Sequence, residues 1–403
     1  MLEMIQKELI GDFKLKWNRI QQAMQKMNAD GCLLTVDVNL YYTTGRIYSG
    51  YFYLPAEGAP WFFVKRPNGL GGDQVEYIRK PEQMAELFAT HGLKMPEKLL
   101  LEADELTYND YMRLQAIFNP KETANATALM RNLRQIKTPH EIEMFRISAE
   151  RHAKTYAEIP ECFRPGMTDL EFQYEIERRM RKNGSIGIFR AFGANMDIFM
   201  GSILAGDNAE SPSPFDFALG GGGMDASCPL GANGTVLKDG TAIMVDMAGN
   251  YTAYMTDMTR VFSVGRLTDL AYKAHQTALL IQSEIENIAR PGTPCAELYN
   301  IAAKITENEG LGAYFMGTLQ QAKFVGHGIG IQINELPVLT PRSKELLEPN
   351  MVFALEPKYV IPGVGAVGIE NSFLVTEIGL EKITQFKEDI IQLYNHKNLK
   401  RTI

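Results

Sequence analysis

The sequence predicts an α+β protein in which a smaller α/β domain, residues 1–130, precedes a larger domain, residues 131–403. Its 403 residues exceed the roughly 100–200 residues of one ordinary domain. Short apolar runs alternate with helix-period segments along the whole chain. In the second half the apolar runs have hairpin-like spacing, which favours an α+β arrangement over a repeated βαβ array.

The first domain is predicted to open with an amphipathic helix. Phe13, Trp17, Ile20 and Met24 recur at three- and four-residue spacing, which places them on one helical face. Further along, apolar runs bounded by turn residues predict strands. The strands are expected at residues 32–36, 51–54, 61–64 and 99–101, the second and third of them paired, and a further helix at 108–118.

The second domain is predicted to begin with helices and to continue mainly with strands. One helix starts at Thr138-Pro139, Pro165-Gly166 interrupts it, and another runs from Asp169 to Lys182. The later strands are expected at residues 242–247, 254–264, 351–355 and 366–375, with helices at 268–288 and 294–309.

Composition and charge exclude several classes of protein. The net charge is −7, whereas a nucleic-acid-binding surface is expected to be basic. No apolar stretch approaches the roughly 18 residues of a membrane helix. The 4 cysteines are scattered and form no CxxC pair, so neither a disulfide framework nor a thiolate zinc site is expected. We therefore expect a cytoplasmic protein that binds neither nucleic acid nor membranes.

Two aspartates lie in consecutive apolar strands of the second domain. If the hairpin is centred between Tyr251 and Thr252, Asp246 lies directly opposite Asp257. If the turn is instead centred on Gly249-Asn250, the pairing shifts by four residues, which still keeps both carboxylates on one face of the sheet. Two neighbouring carboxylates among apolar residues repel each other unless a proton or a cation lies between them.

Three further polar residues occupy comparable positions. His327 lies in a glycine-rich turn, Glu356 follows an apolar run, and Glu370 precedes another. Taken singly, each has an ordinary structural explanation as a turn residue or strand end. Taken together, four carboxylates and an imidazole at the ends of apolar strands form a plausible ligand set for two divalent metal ions, because oxygen-rich sites suit Mn, Co, Fe or Zn.

These segments resemble the M24 metallopeptidases, the family of methionine aminopeptidase, aminopeptidase P, prolidase and the related creatinase. The resemblance is carried by VDMAGNYTAYMTDMTRVFSVG (245–265), GHGIGIQINELP (326–337), FALEP (353–357) and GIEN (368–371). RQIKTPHEIEMFRISA (134–149) is similar to the start of the family's catalytic domain, and GCLLTVDVNLYYTTGRIYSG (31–50) is similar to its creatinase-type N-terminal domain. The resemblance covers nearly the whole chain.

This resemblance implies a pita-bread catalytic domain that follows the smaller α/β domain. It implies that Asp246 binds one metal ion, that Asp257 and Glu370 bridge two ions, and that His327 and Glu356 hold the second. Glu356 would also move a proton as the catalytic residue, while a metal-bound hydroxide attacks the carbonyl of a peptide C–N bond. Mn or Co would be the metal, with Zn or Fe as alternatives. The partners would be a small peptide or peptide-like substrate and a second copy of the chain in a homodimer.

The sequence also departs from the family pattern. Asn334 stands where the peptidases usually carry a histidine, which makes it a candidate for contacting the substrate, and no histidine lies between Met200 and Asp246. Gly368 and Asn371 replace an arginine and an aspartate on either side of the last ligand. Because asparagine donates a hydrogen bond but moves no proton near neutral pH, these departures predict weak peptidase activity.

Three functions follow as hypotheses from this pattern. The first is a dinuclear metal hydrolase resembling Xaa-Pro dipeptidase or aminopeptidase P. The second is a non-peptidase metal enzyme on the same fold, such as a lyase similar to dimethylsulfoniopropionate lyase. The third is a catalytically weakened homologue or a binding protein, which the retention of all five ligand types disfavours because burying unpaired charges is costly.

Overall fold

The computed structural model of the protein describes residues 2–193, 199–215 and 217–394. Contacts between residues divide the chain into two compact units, with the division after Arg134. Among the described residues, none of the helices combines the length and the apolar character needed to span a bilayer.

The first unit is a mixed sheet with helices on both faces. Its strands are β1 (Leu2–Glu3), β2 (Gly31–Leu34), β3 (Ser49–Pro55), β4 (Trp61–Arg66), β5 (Leu70–Gly71), β6 (Val75–Tyr77), β7 (Lys98–Leu101) and β8 (Glu122–Asn125). Its helices are α1 (Ile10–Lys26), α2 (Asp37–Thr44), α3 (Gln83–Thr90), α4 (Tyr108–Phe118) and α5 (Ala126–Gln135). Six of the strands form one sheet in the order β6-β4-β3-β2-β7-β8.

The alternation of side chains along β3 explains how helices pack against both faces of this sheet. Successive side chains of a strand point to opposite faces, and here the ring of Phe52 lies 6.4 Å from that of Trp17 in α1. The next residue, Tyr53, contacts Phe88 in α3 on the other face, with 4.8 Å between ring centroids. The predicted first helix, the paired strands β3 and β4 and the helix α4 are confirmed.

In the part of the chain that the structure describes, the second unit combines two larger sheets with four α-helices. Its strands are β9 (Gly201–Ala205), β10 (Thr241–Gly249), β11 (Thr256–Val264), β12 (Gly326–Gly328), β13 (Glu335–Val338), β14 (Val352–Leu355), β15 (Lys358–Ile361), β16 (Gly365–Gly368), β17 (Asn371–Val375), β18 (Leu380–Lys382) and β19 (Ile391–Tyr394). Its helices are α6 (Pro139–Glu158), α7 (Asp169–Lys182), α8 (Asp269–Ile288) and α9 (Cys295–Asn308).

The sheets of this unit each pack against helices. One has the order β19-β11-β10-β9 and the other the order β13-β12-β14-β17-β18, while β15 and β16 form a separate hairpin. Phe172 of α7 shares a buried core with Val245 and Phe262 of the first sheet. Ala274 of α8 shares another core with Phe353 of the second. This α+β arrangement agrees with the predicted fold class.

Local sequence signals set the starts of two helices in this unit. Thr138 accepts a hydrogen bond from the backbone of Glu141, whose side chain binds back to Thr138. Thr168 and Glu171 form the same reciprocal pair. Such capping boxes satisfy backbone donors that the first helical turn leaves unpaired, so α6 and α7 begin where the sequence predicts.

One predicted strand proved to be two. Residues 366–375 were expected to form a single strand, whereas β16 ends at Gly368 and β17 begins at Asn371. The chain leaves one sheet pairing and enters another here, since β16 pairs with β15 and β17 pairs with β14. The interruption places Glu370 between the strands, where its side chain projects into the interior.

Candidate metal centre

Asp246 and Asp257 lie on one face of the β10–β11 hairpin. The observed register pairs Asp246 with Thr259, and Ala248 with Asp257. Residues opposite one another share a face, and so do residues two apart on one strand. The predicted common face is therefore confirmed, although the actual register differs by two residues from direct opposition and matches neither predicted turn.

The hairpin register is fixed by contacts that sequence spacing does not reveal. The chain between β10 and β11 is held by Ser148 of α6, whose hydroxyl donates to the carbonyl of Tyr254 at 2.9 Å. The same oxygen accepts from the backbone amide of Thr252 at 3.1 Å. Because α6 anchors both sides of the turn, the connection is longer than either tight turn that was considered.

Four strands bring the other predicted ligands to the same place. His327 lies in the middle of β12, which pairs with β14, and Glu356 directly follows β14. Glu370 lies between β16 and β17, and its backbone amide donates to Thr259 of β11 at 3.3 Å. The hairpin and the second sheet are also joined through Ser372, which exchanges hydrogen bonds with the Asp257 backbone.

All five predicted ligand residues are brought together in one cluster. Ligand atoms of Asp257, His327 and Glu370 lie within 4.8 Å of one another, and so do those of Asp246, Glu356 and Glu370. We call the first set the histidine group and the second the lysine group. The two groups are adjacent, because Glu370 belongs to both and His327 Nε2 lies 3.4 Å from Glu356 Oε1.

Lys358, which the sequence analysis missed, lies within the lysine group. Its Nζ donates to Asp246 Oδ2 at 2.8 Å, to Glu356 Oε2 at 2.7 Å and to Glu370 Oε2 at 3.0 Å. The lysine is fully buried. A signal was present, since Lys358 follows Glu356 by two residues in an otherwise apolar segment, and extended residues two apart point the same way.

Burial and neighbouring charges shift the pKa values of Asp257, Glu370 and Lys358. Burial, and then the charges of Glu370 and Asp246, raise the pKa of Asp257 well above its usual value. Burial also raises the pKa of Glu370, although Lys358 opposes this shift. Burial by itself would lower the pKa of Lys358, but the three carboxylates raise it well above the ordinary value. Lys358 is therefore a fixed positive charge across the physiological pH range.

This arrangement predicts how the stability of the metal-free protein depends on pH. Because the folded-state pKa values of Asp257 and Glu370 are raised, the folded state holds more protons than the unfolded state. Their contribution to stability is thus present at low pH and is lost as the pH rises from about 4, the pKa of an unfolded carboxyl group. Denaturant unfolding in EDTA at pH 5 and pH 7.5 should show this loss, and Asp257→Asn should reduce it. An unchanged pH dependence in Asp257→Asn would contradict the prediction.

The histidine group fits a divalent metal ion. His327 Nδ1 lies 3.2 Å from the carbonyl of Gly328, which can only accept, so the proton is assigned to Nδ1. In a neutral ring the lone pair of Nε2 then faces Asp257 Oδ2 at 3.8 Å and Glu356 Oε1 at 3.4 Å, an arrangement that a cation stabilises. Glu370 Oε1 is buried and has no hydrogen-bond partner among the described residues, which also indicates a site for a cation.

The lysine group does not fit a metal ion in the same way. Each of its three carboxylates already directs one oxygen at the ammonium of Lys358. The carboxylate of Glu370 also accepts from the Thr259 hydroxyl at 2.7 Å. The hydrogen-bonding needs of these three oxygens are therefore met by the chain itself, and Lys358 places one positive charge among the three carboxylates.

Asn334, the predicted substrate contact, holds a neighbouring segment of backbone. Its Oδ1 accepts from the amide of Phe192 at 2.7 Å, and its Nδ2 donates to the carbonyl of Phe192 at 2.8 Å. A role in substrate binding stays a prediction. The structure gives the side chain a positioning role for residues just before 194.

Two other histidines of this unit, both buried, have structural partners. His152 Nδ1 lies 3.0 Å from the Thr256 hydroxyl, and burial lowers the pKa of His152 to about 3, so the ring is neutral. His275 Nε2 lies 2.7 Å from the carbonyl of Glu388. His396 is outside the described residues. Neither of the two buried rings supplies the family's missing substrate-side histidine.

Arg260 is a second residue that the sequence analysis missed. Its buried guanidinium donates to the backbone carbonyl of Glu370 at 2.8 Å and to Asn371 Oδ1 at 2.8 Å. These bonds fix the backbone between β16 and β17, from which the Glu370 side chain projects. Asn371, at the position where the family has an aspartate, thus serves to hold this arginine.

A cavity of about 280 Å³ lies beside the cluster. Its lining includes Phe215, Phe217, Leu219 and Phe324, and the ring of Phe324 lies 6.5 Å from that of His327. Polar side chains also line the cavity, and Phe324 is the lining residue that lies beside the histidine group.

Relatives of known structure have the same overall fold. The chain is 26% identical over 380 residues to the Xaa-Pro dipeptidase of Pyrococcus horikoshii, covering 93% of this chain and 98% of that protein. The crystal structure of the prolidase from the same organism has a TM-score of 0.76 at 24% identity, and covers 94% of this chain and 100% of that one. The Xaa-Pro dipeptidase of Bacillus anthracis has a TM-score of 0.77 at 25% identity, covering 94% and 99% of the two chains.

Family profiles match both parts of the chain. The creatinase/prolidase N-terminal domain matches residues 16–136, and metallopeptidase family M24 matches residues 143–377. The predicted order, a creatinase-type domain followed by a pita-bread domain, is confirmed. With its fold, its acidic cluster and a profile match over more than half its length, the chain belongs to metallopeptidase family M24.

Proposed function

We propose that the chain is a metal-dependent hydrolase of peptide or peptide-like C–N bonds, resembling an Xaa-Pro dipeptidase or aminopeptidase P. The observation that carries the proposal is the buried histidine group, whose ligand atoms lie within 4.8 Å of one another. The full-length similarity to Xaa-Pro dipeptidases of Pyrococcus horikoshii and Bacillus anthracis supports the same reaction class.

Asp257, His327 and Glu370 would hold the metal. A divalent ion bound there would act as a Lewis acid and would favour the ionisation of water near neutral pH. The identity of the metal as Mn or Co, the number of two ions and the assignment of Asp246 and Glu356 as ligands stay predictions, as do a cytoplasmic location and a homodimer.

Glu356 would move the proton during hydrolysis. Its Oε2 accepts from Lys358 at 2.7 Å, while Oε1 lies 3.4 Å from His327 Nε2. Lys358 thus fixes one oxygen and leaves the other directed at the histidine group. A carboxylate held at this place can accept a proton from the attacking water and deliver it to the departing nitrogen.

Replacing Glu356 by glutamine should separate its role in proton transfer from metal binding. We expect kcat to fall by about 10²–10⁴-fold, the usual contribution of one acid–base group. The metal content should stay at the wild-type value, because Glu356 lies outside the histidine group and its Oε2 already accepts from Lys358. The measurements are steady-state kinetics and metal analysis of the same preparation, with Glu381→Gln as a control at an exposed carboxylate. A kcat close to the wild-type value would contradict the role given to Glu356.

A non-peptidase metal enzyme, such as a lyase, is the second candidate. The observation in its favour is that the Asn334 amide is already bonded to the backbone of Phe192. Asn334 stands where the family's peptidases carry a substrate-side histidine, and here its side chain is already engaged in holding the backbone. A lyase needs a base near its substrate and no donor to a departing peptide nitrogen.

A substrate panel with product identification tests the proposed function. The purified protein, loaded with Mn or Co, is incubated with Xaa-Pro dipeptides, longer peptides that begin Xaa-Pro, and dimethylsulfoniopropionate. The proposal expects slow hydrolysis that releases a new amine, detected by mass spectrometry, and that stops when EDTA is added. Release of an alkene with no peptide cleavage would support the second candidate and would contradict the first.

A further inference from the structure

The ammonium of Lys358 has the surroundings of a bound cation. It is fully buried, and its three hydrogen bonds of 2.7–3.0 Å all go to carboxylates. Three donors are the full capacity of an ammonium group. A surface ion pair would involve one partner and solvent, whereas here the chain supplies a complete set of anionic oxygens.

The backbone holds Lys358 in this position. Its carbonyl accepts from the amide of Met316 at 2.9 Å, and β15–β16 pairing places Lys358 directly opposite Gly368. A Cβ at Gly368 would lie 2.7 Å from Lys358 Cα and 3.3 Å from its Cγ. The glycine that replaces the family's arginine is therefore the residue that makes room for the lysine.

A metal ion and this ammonium exclude each other. A metal bonds to carboxylate oxygens at about 2.0–2.2 Å, and the three oxygens concerned already surround Nζ at hydrogen-bond distance. A metal ion bonded to all three oxygens would occupy nearly the same position as Nζ, and the two positive charges would repel each other. Each of the three N–H groups of the ammonium donates to one of these carboxylates, so Nζ occupies the point at which the three oxygens converge.

We propose that Lys358 is a built-in substitute for the second metal ion, so that the chain binds one divalent ion, in the histidine group, where two were predicted. This inference rests on the proposed function only in requiring that the histidine group binds metal. With four ionised carboxylates, one ammonium and one divalent ion, the cluster would carry a single net negative charge. The side chain of Lys358 thereby performs the electrostatic task of a cation that cannot dissociate.

The number of metal ions per chain tests the inference without any activity measurement. Wild-type protein and Lys358→Ala are saturated with Mn or Co, dialysed, and analysed by plasma mass spectrometry, and binding is followed by calorimetry. We expect one ion for the wild type and two for Lys358→Ala, because alanine frees both the space and the three oxygens. Lys16→Ala is the control, because it removes another buried lysine paired with a carboxylate, at 2.8 Å, in the other unit. It should bind one ion.

Two ions in the wild type, or one ion in Lys358→Ala, would overturn the inference while leaving a metal-dependent hydrolase intact. One ion in the wild type with no hydrolysis of any substrate would leave the inference standing and remove the proposed function. The absence of bound metal from both proteins would contradict both.

Asp246→Asn provides a test that does not depend on the folding of the lysine variant. Asp246 is bonded to Lys358 and belongs to the lysine group alone. The inference expects Asp246→Asn to bind one ion with an unchanged dissociation constant. Loss of that ion would show that Asp246 is a metal ligand and would overturn the inference.

Discussion

Replacing Lys358 by methionine is expected to lower the free energy of unfolding of the metal-free protein by about 3–5 kcal/mol, the usual cost of removing one partner from a buried ion pair. Methionine fills most of the space of lysine without its charge, so that Asp246, Glu356 and Glu370 are left to repel one another. The measurement is denaturant unfolding in EDTA at pH 7.5. The loss should be smaller at pH 5, because burial raises the pKa of the Glu370 carboxyl, which at that pH holds a proton more often and repels its neighbours less.

Lys121→Met is a control for this prediction. Lys121 contacts Glu97 at 2.9 Å, a distance similar to those in the cluster, but its side chain is 76% exposed. Water then screens the charges, so this variant should be close to wild type. If Lys358→Met is as stable as Lys121→Met at pH 7.5, the three carboxylates do not depend on the ammonium, and our account of the lysine group is wrong.

Replacing Asp257 by asparagine is expected to remove both the bound metal and most of the activity. Asp257 belongs to the histidine group, and an amide gives it no negative charge with which to bind a cation. Hydrolysis should fall by roughly 10³-fold or more, because a metal ion contributes several kcal/mol to stabilising the transition state. Metal analysis and kcat/KM, measured on the same preparation, check both parts.

Asp246→Asn is the matched variant for this second prediction. It replaces the other aspartate of the hairpin by the same amide, yet it should keep its metal, because Asp246 contacts Lys358. If both variants lose metal to the same extent, the division of the cluster into two groups is incorrect. If Asp257→Asn retains its metal, the histidine group is not the binding site.

Much of the fold and most of the cluster could be predicted from the sequence. Capping residues and apolar periodicity identify α6 and α7, because these signals are local. The common face of Asp246 and Asp257 was predicted correctly although the predicted hairpin register was wrong. A shift of two residues leaves the side chains on the same face of the sheet. His327, Glu356 and Glu370 were found because polar residues at the ends of buried strands are unusual.

The rest depends on contacts between distant parts of the chain. The hairpin register is set by Ser148, more than a hundred residues earlier. The strand expected at 366–375 is interrupted because its two halves pair with different strands. Lys358 was overlooked because a lysine next to a proline resembles a surface residue. Its burial depends on the pairing of β15 with β16, which places Gly368 opposite it.

The most direct test of this account is a crystal structure of the protein grown with Mn, in which anomalous scattering locates each metal ion. Our account predicts one anomalous peak, bonded to Asp257, His327 and Glu370, with the Lys358 ammonium still between Asp246 and Glu356. A second peak among Asp246, Glu356 and Glu370, with the lysine displaced, would contradict the account of the lysine group. The absence of any peak near His327 would contradict the proposal that the cluster is a metal centre.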